Sequence, residues 1–138
     1  MNLRVNLQIV GILLVVLGLS HGLFNRYFRW ERELATVSLL TRRIFYVHTF
    51  FIGLGVVLAG AGSFLYAASL VRPSPLSRAI LAGMAAFWLC RLLAQFFAYD
   101  AAIWRGDRFR TFMHIAFSVL WCYVSATYGW ALMAVCRR

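Results

Sequence analysis

Lysine is absent from the chain, and acid is scarce. Fourteen basic residues, all arginine, stand against four Asp and Glu, giving a formal charge of +10 over 138 residues. Charged residues make up 13% of the sequence, where a soluble domain carries roughly 25%. With 63% of the residues hydrophobic, a single small domain has too little interior to hide them. Lipid must take up the remainder, which excludes an ordinary soluble globule. The arginines flank apolar runs and form no separate basic block, so they are expected to meet lipid phosphates, with no nucleic-acid partner.

Thiol chemistry is also missing. Cys90, Cys122 and Cys136 include no C-x-x-C pair, which excludes a dithiol redox motif and a zinc knuckle. They read as small buried packing residues. There is no H-E-x-x-H, no P-loop, no G-x-S-x-G and no repeated Glu-x-x-His set, so no motif names a reaction. The first apolar run follows Met1-Asn2-Leu3-Arg4 and ends in Ser20-His21-Gly22 without a small-x-small cleavage site. It is therefore expected to be a retained span and no signal peptide.

What is present is four long apolar stretches, at about 5–24, 44–71, 76–99 and 111–136. Each suffices to cross about 30 Å of hydrocarbon as a helix rising about 1.5 Å per residue. The expectation is one all-α integral membrane domain over 1–138, a four-helix transmembrane bundle with antiparallel up-down topology. Both prolines fall in Arg72-Pro73-Ser74-Pro75, a tight break that folds spans two and three into a hairpin. Residues 25–43 mix Arg26, Arg29, Glu31, Arg32 and Glu33 with Tyr27, Phe28, Trp30 and Leu34. They read either as an amphipathic segment in the headgroup layer or as a helical extension of the first span.

Small residues recur every four positions: Gly55, Ala59, Ser63 and Ala67 on span two, and Ala82, Ala86, Cys90, Ala94 and Ala98 on span three. Such stripes let helices approach closely in lipid and are expected to form the packed faces. Arg26, Arg29, Arg32, Arg42, Arg43, Arg105, Arg108 and Arg110 fall on one side of the layer, and Arg4, Arg72, Arg78, Arg137 and Arg138 on the other. The positive-inside rule then places both termini on the non-cytoplasmic side, in a bacterial inner membrane.

Polar residues inside spans point to function. His21 lies about one turn before span one ends, and His48 and His114 about one turn into spans two and four, all at one level if the spans alternate in direction. Asp100, closing span three, reaches the same side. By helical phase His48 should share a face with Gly55 and Ala59 and look into the bundle. Asp100 is expected to cap the turn that begins at Ala101 rather than to be a ligand. His48 and His114 could ligate a haem from opposite sides, with Arg43, Arg108 or Arg110 on the propionates. Alternatively His21, His48 and His114 could hold a transition metal or relay protons. Deeper in span three, Arg91 and Gln95 lie one turn apart and suit an anionic or quinone-like ligand.

Three functions follow from these residues. The first is a histidine-lined site binding haem or another metal for electron transfer. The second is a non-catalytic accessory subunit packing against other membrane subunits or its own copies. The third is a small transporter or channel protomer with Arg91 and Gln95 on an anion path.

Overall fold

The computed structural model describes residues 2–27, 29–100, 104 and 106–137, without the side chains of Phe24 and Asn25. In chain order the helices are α1 (Leu3–Tyr27), α2 (Trp30–Glu33), α3 (Leu39–Leu65), α4 (Ala67–Leu70), α5 (Pro75–Phe97) and α6 (Arg108–Cys136). The described residues contain no strand. Four stretches, Leu3–Leu23, Leu39–Leu65, Pro75–Phe97 and Arg108–Cys136, are long and apolar enough to cross a membrane. Their large side chains stay uncovered: Leu19, Leu58, Leu76 and Val119 are 63–70% exposed.

Local chemistry sets the helix ends. At the α4–α5 break, Ser74 and Ser77 form a reciprocal capping box with both backbone bonds at 3.0 Å. Pro75 occupies the first turn, where its missing N–H costs nothing. Ser38 caps α3 by accepting from the Thr41 N–H. Asp107 caps α6 by accepting from the Arg110 N–H, after Gly106 turns the chain at φ +89, a value that favours glycine. The expected interfacial segment 25–43 is divided: α1 runs on to Tyr27, α2 is a single turn, and α3 starts at Leu39. Phe28, and Arg105 and Arg138 of the charge count, lie outside the described residues.

The chain forms two compact units. In the unit Leu7–Ala67, α1 and α3 meet at two glycine pairs. A Cβ placed on Gly60 would stand 2.6 Å from the Gly11 carbonyl oxygen, and one on Gly18 2.7 Å from that of Gly53. The later α1 glycine meets the earlier α3 glycine, so the two helices run antiparallel. Of the stripe expected on α3, Ser63 and Ala67 are buried and Ala59 half-buried, but the packed face is corrected at its start: Gly53, Val56 and Gly60 are buried, whereas Gly55 is exposed, with nothing within 4 Å of a Cβ built there. Residues four apart advance about 40° around a helix, so a four-residue ladder winds off any one face. Residues seven apart drift only about 20° and stay on it.

The second unit comprises Met1–Asn6 and Ala68–Arg138. Here α5 buries Ser77, Leu81, Trp88 and Gln95. The α6 side chains buried in this unit include Trp121, Val124, Tyr128 and Val135. Trp88 stacks on Trp121 at 5.2 Å and 14°. Gln95 meets His114, so α5 and α6 also run antiparallel. The seven-residue spacing is the same, and so is the correction: Ala82, Ala86, Cys90 and Ala98 are exposed and Ala94 only half-buried. All three cysteines are exposed rather than buried, because they lie off the buried lines. The Tyr123 hydroxyl donates to Asn6 Oδ1 at 2.9 Å, and Asn6 Nδ2 donates to the Asn2 carbonyl at 3.0 Å. This polar clasp ties the start of α1 to α6 and satisfies Asn6, only 3% exposed.

Candidate functional site

The α5–α6 unit brings three of the singled-out residues together. Arg91 lies six residues before α5 ends at Phe97, and His114 six residues after α6 begins at Arg108. Each is thus about 9 Å from its helix end, at the same end of the antiparallel α5–α6 pair. Gln95 joins them. Arg91 Nη1 donates to Gln95 Oε1 at 3.2 Å, and Gln95 Nε2 lies 2.9 Å from His114 Nδ1. A guanidinium can only donate, so the amide oxygen must face Arg91 and the amide nitrogen His114. His114 Nδ1 therefore accepts, and the proton of the neutral ring sits on Nε2.

Aromatic rings enclose this relay. The Arg91 guanidinium lies 4.7 Å from the Trp121 ring centroid and 6.0 Å from that of Tyr99, within cation–π range. Its contacts with Gln95 and Tyr99 lie toward the end of α5, while its nearest ring, Trp121, stacks on Trp88 about one turn further in. Trp104 stacks on His114 at 3.9 Å and 11°, and the Trp104 carbonyl accepts from Thr111 Oγ1 at 2.8 Å. Among the described residues no carboxylate pairs with Arg91; its hydrogen bond is to the neutral Gln95. Trp88 Nε1, Trp121 Nε1 and Ser125 Oγ are buried donors without partners among those residues, in the same aromatic stack or one turn along α6.

His21, His48 and Arg43 belong to the Leu7–Ala67 unit. His21 Nδ1 donates to the Leu17 carbonyl at 2.9 Å, and a Cβ on Gly53 would stand 2.9 Å from His21 Cβ. His48 Nδ1 donates to the Ile44 carbonyl at 2.9 Å. His48 is exposed rather than turned inward with Gly55. Five residues separate it from Gly53, about 140° around α3, so it does not share the side of α3 that meets His21. Arg43, Arg108 and Asp100 are exposed. The expected cap by Asp100 of the turn at Ala101 lies outside the described residues. Arg110 pairs with Asp107 at 3.4 Å on the exposed surface. Among the described residues no three His, Cys, Asp or Glu gather closely enough to hold a metal ion.

Sequence reasoning paired Arg91 with Gln95 but missed His114 as the third member, and missed Trp104, Trp121 and Tyr99 as the walls. One signal was available: Leu81, Trp88 and Gln95 recur every seven residues, as do Trp121, Tyr128 and Val135.

Four helices able to cross the bilayer, with apolar side chains left uncovered, make this a small integral membrane protein. No family model, no curated protein and no solved structure matches it, so the polar site is interpreted from its own chemistry.

Proposed function

We propose that this protein binds an acidic amphipathic molecule from the bilayer, its negatively charged head on Arg91 and its apolar body along α5 and α6. The four spans would run up and down as two consecutive hairpins. The observation that carries this reading is the missing counter-ion: Arg91 lies within a span, half-buried, with no carboxylate partner among the described residues. An unpaired charge at that depth is costly, and a guanidinium offers four further N–H donors once one is used. Gln95 holds its orientation, and His114, stacked under Trp104, holds Gln95. The unpartnered donors of Trp88, Trp121 and Ser125 suit the same class of oxygen-rich head.

Titration of the detergent-purified chain with a brominated fatty acid tests this, because Trp121 lies beside Arg91 and bromine quenches indole fluorescence. Saturable quenching is expected, with Arg91→Gln weakening the apparent affinity by about tenfold or more, the loss of one charge-assisted contact. Equal affinity in Arg91→Gln would remove the proposal.

A second reading keeps an imidazole as a haem or metal ligand. In its favour, His48 donates from Nδ1 to Ile44, which leaves Nε2 as the acceptor, the arrangement metal-binding histidines use. Against it, Gln95 makes His114 Nδ1 an acceptor, so the Nε2 of His114 bears a proton where a ligand needs a lone pair. Absorption spectra and metal analysis of the purified chain decide: a Soret band or bound metal lost in His48→Ala supports it, and neither signal overturns it.

A further inference from the structure

The stretch directly after the first span carries a second polar feature, independent of Arg91. Arg26, Arg29, Glu31 and Arg32 line an open cleft of about 500 Å³, wholly within the Leu7–Ala67 unit. Among the described residues none of the three guanidiniums pairs with a carboxylate; Glu31, on the same rim, is not bonded to any of them. Three arginines against one glutamate give the cleft a net charge of +2, the complement of a dianion.

The backbone builds this concavity. Arg29 adopts φ 51 and ψ 39, the left-handed region, and stands as the N-cap of α2. It is the one described non-glycine residue with positive φ, a conformation that a Cβ disfavours. The turn there breaks the helical path, so side chains three positions apart on successive elements converge instead of following one helix face. On the far side of the turn, Trp30 packs edge-on against Phe45 at 4.7 Å, which fastens α2 to the first part of α3.

Position supplies the ligand's identity. The apolar span closes at Leu23, which is 68% exposed, and Tyr27, between Arg26 and Arg29, is 60% exposed. An apolar stretch followed by arginines with a tyrosine among them is the composition with which a helix passes from acyl chain to interface and phosphate. We propose that this cleft binds the phosphomonoester head of an anionic phospholipid, with Arg26, Arg29 and Arg32 as its donors. A dianionic phosphate matches both the net charge and the number of forked donors.

The test uses native mass spectrometry of the full chain in detergent, with added phosphatidic acid, phosphatidylglycerol or phosphatidylcholine, and with inorganic phosphate as soluble competitor. Phosphatidic acid should bind about tenfold more tightly than phosphatidylglycerol, and phosphatidylcholine least. The triple variant Arg26→Gln/Arg29→Gln/Arg32→Gln should lose that preference. Arg42→Gln/Arg43→Gln should keep it. The comparison is repeated in the Arg91→Gln background, which removes any lipid held at the Arg91 site, so that the loss on adding the triple variant there reports on this cleft alone. Arg29→Gly tests the cleft without its strained side chain: it should retain the fold, shown by unchanged circular dichroism, and weaken phosphatidic acid binding at least threefold. The proposal is overturned by equal binding of the three lipids, by an equal loss in the Arg42/Arg43 variant, or by millimolar inorganic phosphate displacing the lipid completely, which would assign the cleft to a soluble anion.

Discussion

At the scale of the residue, Gln95 is the hinge of the polar site. Its amide is a two-ended adaptor, oxygen toward the cation and nitrogen toward the imidazole. Replacing it by Leu keeps much of the volume and removes both bonds, leaving Arg91 with neither anion nor acceptor among the described residues. Gln95→Leu should therefore lower stability by about 1–2 kcal/mol, read as a fall in the midpoint of thermal unfolding in detergent. The Trp104 emission should shift as His114 loses its orientation. An unchanged midpoint and spectrum would show that the relay is incidental. The histidines divide at this scale by tautomer. His21 and His48 donate from Nδ1 to carbonyls four residues back on their own helices, whereas His114 Nδ1 accepts across the hairpin.

At the scale of the element, close packing in lipid rests on two seven-residue glycine pairs, Gly11 with Gly18 on α1 and Gly53 with Gly60 on α3. A methyl on Gly60 would meet backbone at 2.6 Å, so Gly60→Ala should force the helices apart at about 1–3 kcal/mol. Gly55→Ala meets nothing within 4 Å and should be neutral or stabilising by up to about 1 kcal/mol, the helix-propensity gain of alanine. Thermal unfolding of both variants in one detergent tests the contrast; equal effects would contradict the packing. The spans were legible in the sequence because hydropathy needs no knowledge of partners. The small-residue stripes are only partly legible: Ser63 and Ala67 are buried, but Gly55 and most of the α5 stripe are not, because a four-residue ladder such as Gly55 to Ala67 turns through about 120° and leaves the packed face. Arg91 and Gln95 were legible as a one-turn pair. His114 was not, since its place beside Gln95 depends on the register of the α5–α6 hairpin, which no local pattern encodes.

At the scale of the whole molecule, exposure and solvent contact are different things. Cys90 and Cys122 are exposed on the protein surface but lie within helices α5 and α6, whereas Cys136 closes α6. In native membranes a charged maleimide should label Cys136 and leave Cys90 and Cys122 unmodified until the membrane is dissolved in denaturing detergent, because lipid covers them and a thiolate does not form in hydrocarbon. Rapid labelling of Cys90 in intact membranes would place α5 in water. The same distinction makes Arg91 significant. An arginine on a water-covered surface needs no partner, but one set within a span calls for an anion, and the chain supplies none among the described residues. The charge of the proposed ligand's head is therefore the variable to test. The most direct measurement compares palmitate with palmitamide, equal in chain and differing in charge, by titration of the wild-type protein and of Arg91→Gln. Palmitate should bind the wild type at least tenfold more tightly than palmitamide, with the difference erased in Arg91→Gln. Equal affinities of the two ligands for the wild type would contradict an anion-binding Arg91.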